Sequence, residues 1–479
     1  MADFKDLRDY LGRLRAKLGD GAVQDLSGAH WDLEIGCLSE LSAQRTGPAL
    51  LFDDIPGSPS GFRVLTNYMG TVPACAVALG LEPDTPGIEI VRTWKERSRS
   101  LNLIPFVNVG AGPITQNVTE GDKVDLTRFP TPRWHEDDGG RYIGTACLVI
   151  VRDPDTGWIN VGTYRGCVQG RDRLSLWMLK NHGRAIATKY WARGQACPVA
   201  VVVGCDPILA TAAAMTAPEG VCEYDLAGAL RGRPVEVLYP PGSQLPVPAH
   251  AEIVIEGEVA SPEVEAVLEG PFGEWTGYYT HSGPEPFVRV KRIMHRNDPI
   301  ILGCPPMIPT ITPGDQAVPM YGASIAWEHL DRSGVENVTG VWAYGRQLMV
   351  VIAVKQTAPG QARRALETAA ANPRNSGGMQ RFFVVVDDDI DITDLEHVLW
   401  AICTRTRPVE TINIIDSQTT IIDPRLAPDR RAAGDLSMGK VLIDACKPFD
   451  WIDQFPIQNR FRDDYRDEIR TRWSSRLPL

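Results

Sequence analysis

The sequence predicts a mixed α/β protein in three parts, and three observations carry that prediction. Its 479 residues exceed what one simple hydrophobic core organises, so two or three domains are expected. Residues 116–315 are dominated by short β-branched runs, whereas both flanks alternate helix-like and strand-like segments. The 44 glycines and 37 prolines are scattered, which fits many turns and short strands better than a disordered tract. The expected division is an α/β domain over 1–115, a barrel-like domain over 116–315, a helical linker over 316–345 and a second α/β domain over 346–479.

Each element follows from a local pattern. Phe4, Leu7, Leu11, Leu14 and Leu18 recur at three-four spacing among charges of both signs. That predicts an amphipathic helix instead of a secretory signal, and hence a cytoplasmic protein. ALLF at 49–52 is strand-like, and in NYMGTVPACAVALGLEPD (67–84) Gly70 ends a strand-like approach before a small-residue helix. ACLVIVRD (146–153) and WINVGTYR (158–165) flank the turn sequence PDTG and predict a hairpin. PVAVVVG (198–204), AEIVIEGEV (251–259), FVRVKRIMH (287–295) and PIILG (299–303) are further strands of the middle domain. RLSLWMLKNHGRAIATKYW (173–191) and EYDLAGALRG (223–232) look helical, as does YGASIAWEHLDRSG in the linker. RQLMVVIAVK, QARRALETAA, RFFVVVDDDID, LEHVLWAICTR and ETINII then alternate strand and helix.

Composition excludes several functions. A net charge of −11 argues against nucleic acid as a partner, although a local arginine can still bind an anionic substrate. No apolar run approaches 18 residues, so no membrane span and no membrane partner are expected. The ten cysteines contain no Cys-x-x-Cys pair and predict reduced core thiols. Asp387, Asp388 and Asp389 follow a strand and precede a helix, so turn formation and capping explain them better than a metal.

Three groups of residues carry possible chemistry. In EGPFGEWTGYY (269–279), Glu269 and Glu274 would face opposite sides of a straight strand, but Gly270, Pro271 and Gly273 demand a bend. The bend can bring both carboxylates to one cavity, where two acids disfavour double ionisation and one becomes a proton donor. A solvated acidic turn is the plain alternative. In WINVGTYRG, Thr163 and Arg165 share a face under period-two geometry, while Asn160 points elsewhere. A semi-buried Arg165 needs a carboxylate or phosphate, either from a substrate or in a structural ion pair. His182 and Glu223, with an amide oxygen, form a donor set suited to Mn²⁺, yet no spacing rule joins 160, 182 and 223. A lone histidine at a helix end is more often a cap or a packed residue.

Taken in order, NVGTYR, His182, EYDLAGALRG and EGPFGEWTGYY resemble the UbiD-like decarboxylases, which use prenylated flavin mononucleotide (FMN). The similarity runs from NYMGTVP near 67 to VVVDDDID and the helix ending in CTRTRP near 408. It implies a central split β-barrel that binds prenylated FMN and a C-terminal domain that forms a homodimer or higher oligomer. It implies that Asn160, His182 and Glu223 hold Mn²⁺ (or Mg²⁺) bridged to the cofactor phosphate, with K⁺ (or Na⁺) nearby. Arg165, Glu269 and Glu274 are then the catalytic network, and Thr163 and Met215 line the flavin. Arg381 stands where a cofactor-contacting lysine is expected. The implied reaction is reversible, non-oxidative decarboxylation of an aromatic, heteroaromatic or α,β-unsaturated acid, with a flavin prenyltransferase as cofactor supplier. Competing possibilities are a non-catalytic or scaffolding subunit of a multi-component carboxylase, and a metal-dependent hydrolase using His182 and Glu223. Segment 304–318, with Met307, Ile308 and Ile311, is the expected wall of a flat apolar pocket.

Overall fold

The opening helix, Leu7–Leu18, buries Leu7, Tyr10, Leu11 and Leu14, the stripe its periodicity predicts, and the Asp6 side chain caps it by accepting from the Asp9 amide. The structure is a computed structural model describing all residues except 1–3, 100–101, 179–180, 216, 281, 309–316, 373–378, 475 and 477–479. The helix packs on Val72–Ala78, the expected small-residue helix, and on a four-stranded sheet ordered Val23–Ser27, Ala49–Asp53, Arg63–Thr66, Ile300–Leu302. PIILG, expected in the middle domain, therefore supplies its strand to the N-terminal sheet, pairing in parallel with Arg63–Thr66. A short apolar run predicts a strand but carries no information about its partner. The fully buried Glu252 ties this junction together: it accepts from Arg8 Nε and Nη2 at 2.9 and 2.7 Å and from the Ile300 amide at 3.2 Å.

In the middle of the chain, Leu148–Arg152 and Ile159–Gly162 form the expected antiparallel hairpin. The sheet runs Arg141–Gly144, Gly166–Val168, Arg173–Leu176, Phe287–His295, Ile253–Val259, Cys197–Val203, Leu148–Arg152, Ile159–Gly162, with Asn117–Glu120 added on Phe287–His295. Residues Thr163, Tyr164 and Arg165 alone join its last strand to its second. On a flat sheet those strands lie roughly 29 Å apart at ~4.8 Å per step. Four Cα–Cα links reach only about 15 Å. The sheet must curl until its ends approach, giving the half-open barrel that is observed. Segment 173–191 corrects the helical expectation: Arg173–Leu176 is a strand, and the helix begins at His182 and ends at Trp191. Buried Leu174, Ser175 and Leu176 sit between two strands, an environment that a short apolar run cannot distinguish from a helix core.

The C-terminal sheet is ordered Val338–Tyr344, Met349–Val354, Phe382–Asp387, Ser437–Ala445, Ile412–Gln418. Segment 316–345 holds the expected helix, Ala317–Arg332, but continues into an edge strand of this sheet, so it is more than a linker. Helix Gln361–Ala370 packs against the central strands, and Leu395–Arg405 is capped by Asp394. Asp387 and Asp389 both accept from the buried Arg405, at 2.7 and 2.9 Å, and Lys447 Nζ donates to Asp389, so their charges are spent inside the domain. All ten cysteines are free thiols; seven are buried, while Cys37 and Cys403 are exposed and depart from the core expectation. Among the described residues no helix is long and apolar enough to cross a membrane.

Candidate active site

The three-residue connection that bridges the barrel carries Arg165. Its carbonyl accepts from the Trp177 amide at 3.1 Å, and the neighbouring Tyr164 carbonyl lies 3.0 Å from Cys147 Sγ. The Tyr164 ring is clamped between Gly162 and Gly183: a Cβ on either would come within 2.5 or 2.7 Å of its hydroxyl. No larger residue fits at either position without moving the tyrosine, and with it the connection.

Opposite this connection, Glu269 ends a short strand, Val267–Glu269, and the chain turns through Gly270, at φ +85°, and Pro271. The turn is held from below, where the Gly139 amide donates to the Pro271 carbonyl at 2.7 Å. Beyond it, Glu274 and Gly277 close a tight reversal, with the Glu274 amide donating to Tyr278 O at 2.8 Å. Both carboxylates consequently reach Arg165. Its Nε and Nη2 donate to the two Glu269 oxygens at 2.9 and 2.6 Å, a fork-to-fork pair. Its Nη1 donates to Glu274 Oε1 at 3.1 Å and to Thr280 Oγ1 at 3.0 Å. The Tyr142 hydroxyl donates to Glu269 at 3.0 Å and its ring stacks on Phe272, with centroids 3.8 Å apart. The guanidinium lies 4.0 Å from the centre of the Trp177 ring.

The two acids differ in environment. Glu269 is closed off with both oxygens engaged, whereas Glu274 lines a cavity of about 340 Å³ together with Thr163, Arg165, Trp177, Phe272 and Trp275. Burial pushes the Glu274 carboxyl up to about 7 against the opposing pull of Arg165 and Arg346, with Glu269 adding to the rise. Arg346 and Ile422 reach the same cavity from the C-terminal domain.

A second cluster lies behind the connection. Asn160 on strand Ile159–Gly162 is buried; its Nδ2 donates to Glu223 Oε1 at 2.9 Å. The Val161 amide donates to the other Glu223 oxygen at 2.7 Å. Glu223 and His182 are each the first residue of a helix, Glu223–Arg231 and His182–Trp191, and both helices pack against this strand. The His182 ring meets Trp158 edge-on at 5.1 Å. Asn160 Oδ1 is buried with no hydrogen-bond partner, and burial pushes the Glu223 carboxyl up to about 7.

Other expected residues sit further out. Thr163 lines the cavity. Met215 is buried at the end of helix Pro207–Ala214, whose Ala210 lines it. Arg381 pairs with Asp423, adjacent to the cavity residue Ile422. Of segment 304–318, Cys304 and Pro306 line the cavity, Met307 is buried and Ile308 exposed; Ile311 falls outside the described residues. Tyr142, Thr280, Trp177 and Arg346 join the site without a local sequence signal.

Residues 27–94, 106–309 and 320–445 match, respectively, the N-terminal, Rift-related and C-terminal domains of the 3-octaprenyl-4-hydroxybenzoate carboxy-lyase (UbiD) family. A pyrrole-2-carboxylic acid decarboxylase of Pseudomonas aeruginosa is 31% identical, over 98% of this chain and 97% of its own. A phenolic acid decarboxylase of Bacillus subtilis is 30% identical, over 93% of each. Among solved structures, the UbiD-class enzyme HmfF of Pelotomaculum thermopropionicum in complex with FMN superposes with a TM-score of 0.84 at 27% identity, covering 98% of this chain and all of the other. The vanillic acid decarboxylase of Sedimentibacter hydroxybenzoicus, in its open form, does so with a TM-score of 0.84 at 26% identity, over 99% of this chain and all of the other.

Replacing Arg165 by Lys puts a point charge where a five-donor fork now serves Glu269, Glu274 and Thr280. Arg165→Lys is expected to destabilise the protein by about 3 kcal/mol and to shift the Trp177 emission. Denaturation followed by tryptophan fluorescence measures both, and wild-type behaviour in both would show the fork to be dispensable.

Proposed function

The chain belongs to the UbiD family of carboxy-lyases, and on that premise we propose that it decarboxylates an aromatic or heteroaromatic acid, reversibly and without net oxidation, using prenylated FMN and a divalent metal. The observation that carries the proposal is one guanidinium shared by a closed-off carboxylate, Glu269, and a cavity-lining one, Glu274, whose carboxyl burial pushes up to about 7. Neither the scaffolding subunit nor the hydrolase accounts for that constellation.

The residues fit both groups. An orphaned, buried Asn160 oxygen is an acceptor open to a cation, and with the buried Glu223 carboxyl and the His182 imidazole it makes a mixed N/O donor set suited to Mn²⁺ or Mg²⁺. A cavity walled by Trp177, Phe272, Trp275 and Tyr68 suits flat rings, flavin and substrate alike. Asn160, His182 and Glu223 would hold the metal, and Thr163 and Met215 would flank the flavin. Arg381 is held by Asp423 beside the cavity residue Ile422, where it would present a cation toward the cofactor side of the cavity. When bound, the prenylated flavin supplies the electron sink that decarboxylation requires.

The protein's own part is binding, orientation and proton delivery. Arg165, immobilised by Glu269, binds the substrate carboxyl and fixes its position on the cavity wall. The aromatic walls exclude water from the carbon that loses CO₂. Glu274, protonated, then gives its proton to that carbon and is refilled from solvent; general acid catalysis of this kind contributes ~10²–10⁴-fold. Substrates are those the relatives act on in class: phenolic acids and small heteroaromatic acids such as pyrrole-2-carboxylate. A flavin prenyltransferase supplies the cofactor.

Co-expressed with a flavin prenyltransferase, the protein is expected to release CO₂ from members of such a panel; no release and no deuterium exchange from any would sink the proposal. Because the donor is the protonated form of a carboxyl titrating near 7, turnover holds below that pH and drops about tenfold per unit above it. Glu274→Gln retains flavin and loses ~10²-fold or more of turnover together with the pH limb; an active variant removes Glu274 as donor. His182→Ala is expected to lose bound metal and flavin absorbance together on purification, and retention of both refutes the metal assignment.

A further inference from the structure

The charges on the cavity wall do not balance around Arg165. Of its five N–H groups, two serve Glu269, one Glu274 and one Thr280, leaving a single Nη2 hydrogen for anything that enters. Glu269 also neutralises it. Arg165 therefore orients a carboxylate but has little charge left to attract one.

Arg346 is in the opposite condition. It is half-buried, lines the cavity, and its side chain makes no hydrogen bond or ion pair among the described residues. It sits in the turn between strands Val338–Tyr344 and Met349–Val354, closed by the Leu348 amide donating to Gly345 O at 3.1 Å. Arg346 and Gln347 both adopt left-handed backbone, φ +51° and +80°, a conformation L side chains occupy only at a cost. Two contacts hold Gln347 there: its side chain packs directly on Gly322 of helix Ala317–Arg332, and its Oε1 accepts from Gln380 Nε2 at 3.3 Å. A strained turn anchored through one residue thus presents its neighbour, a free guanidinium, to the cavity. Apart from Arg165 and Glu274, Arg346 is the only charged residue among the described cavity wall. With Glu274 in the protonated form that donation requires, Arg346 is the one uncompensated charge, and it equals that of a monoanionic acid.

We infer that Arg346 is a specificity-determining residue that takes the carboxylate of the incoming acid, the remaining Arg165 N–H serving as the second contact. The inference rests on the decarboxylase function proposed above and adds a residue from the C-terminal domain to substrate recognition. A neutral isostere of the substrate lacks the charge that Arg346 selects.

Calorimetric binding of pyrrole-2-carboxylate and of pyrrole-2-carboxamide to the full chain separates these points. Wild type is expected to prefer the acid by about tenfold or more, and Arg346→Gln to lose that preference while binding the amide unchanged. Arg346→Lys, which keeps the charge without the fork, is expected to retain part of it, and in turnover both variants raise KM more than they lower kcat. Equal acid preference in Arg346→Gln and wild type overturns the inference, as does a wild type without preference. Loss of flavin with acid preference intact overturns it too, assigning Arg346 to the cofactor. If Arg346→Gln does not fold, Arg346→Lys decides: a preference undiminished from wild type supports a charge role, and one absent altogether refutes it. Wild type that binds the acid selectively but releases no CO₂ from any acid refutes the decarboxylase function while leaving the anion-binding assignment standing.

Discussion

A guanidinium taken out of water is tolerated only when its donors are met, and Arg165 meets that condition by drawing two carboxylates and a hydroxyl to itself. The rest of the site is arranged around that demand. Glu269 satisfies the fork and gives up its freedom; Glu274, touching with one oxygen, keeps a carboxyl whose proton is held near neutrality. Removing one member leaves a buried charge without a partner, so the network is held together by mutual necessity more than by net stabilisation.

The same arginine sits on the three-residue span that bridges the two ends of the central sheet. Curling the sheet and placing the guanidinium are one event, because the span is too short for any other path. The strand that leads into it delivers Asn160 toward Glu223 and the His182 helix. The Arg165 network and the Asn160–Glu223 cluster are thus built on one strand and the connection that follows it. A shift of the Tyr164 clamp would disturb both at once.

The N-terminal and C-terminal parts contribute in different ways. The N-terminal sheet borrows Ile300–Leu302 from the far end of the middle segment, with Glu252 fastening the opening helix to the same place. The C-terminal sheet closes the cavity with Arg346 and Ile422. The cavity is therefore formed where middle and C-terminal parts meet, so its C-terminal wall can vary without altering the Arg165 network.

Much was legible in the residue order. The amphipathic opening helix, the hairpin around PDTG, and the bend required by Gly270, Pro271 and Gly273 all follow from local chemistry. The grouping of Asn160, His182 and Glu223 was suggested only by resemblance, since no spacing relates residues 160, 182 and 223. Local pattern failed where an apolar stretch had more than one destination: Arg173–Leu176 is a strand and not a helix, PIILG joins the N-terminal sheet, and the end of 316–345, Val338–Tyr344, is sheet edge. Residue order by itself determined which side chains can do chemistry and where the backbone must turn, because those depend on neighbours within a few positions. Only the tertiary structure decided that Thr280 and Tyr142 complete the carboxylate network and that Arg346 enters the cavity with its charge unspent. Those meetings join residues that are far apart in the chain, and they depend on how three sheets pack instead of on any periodicity within one.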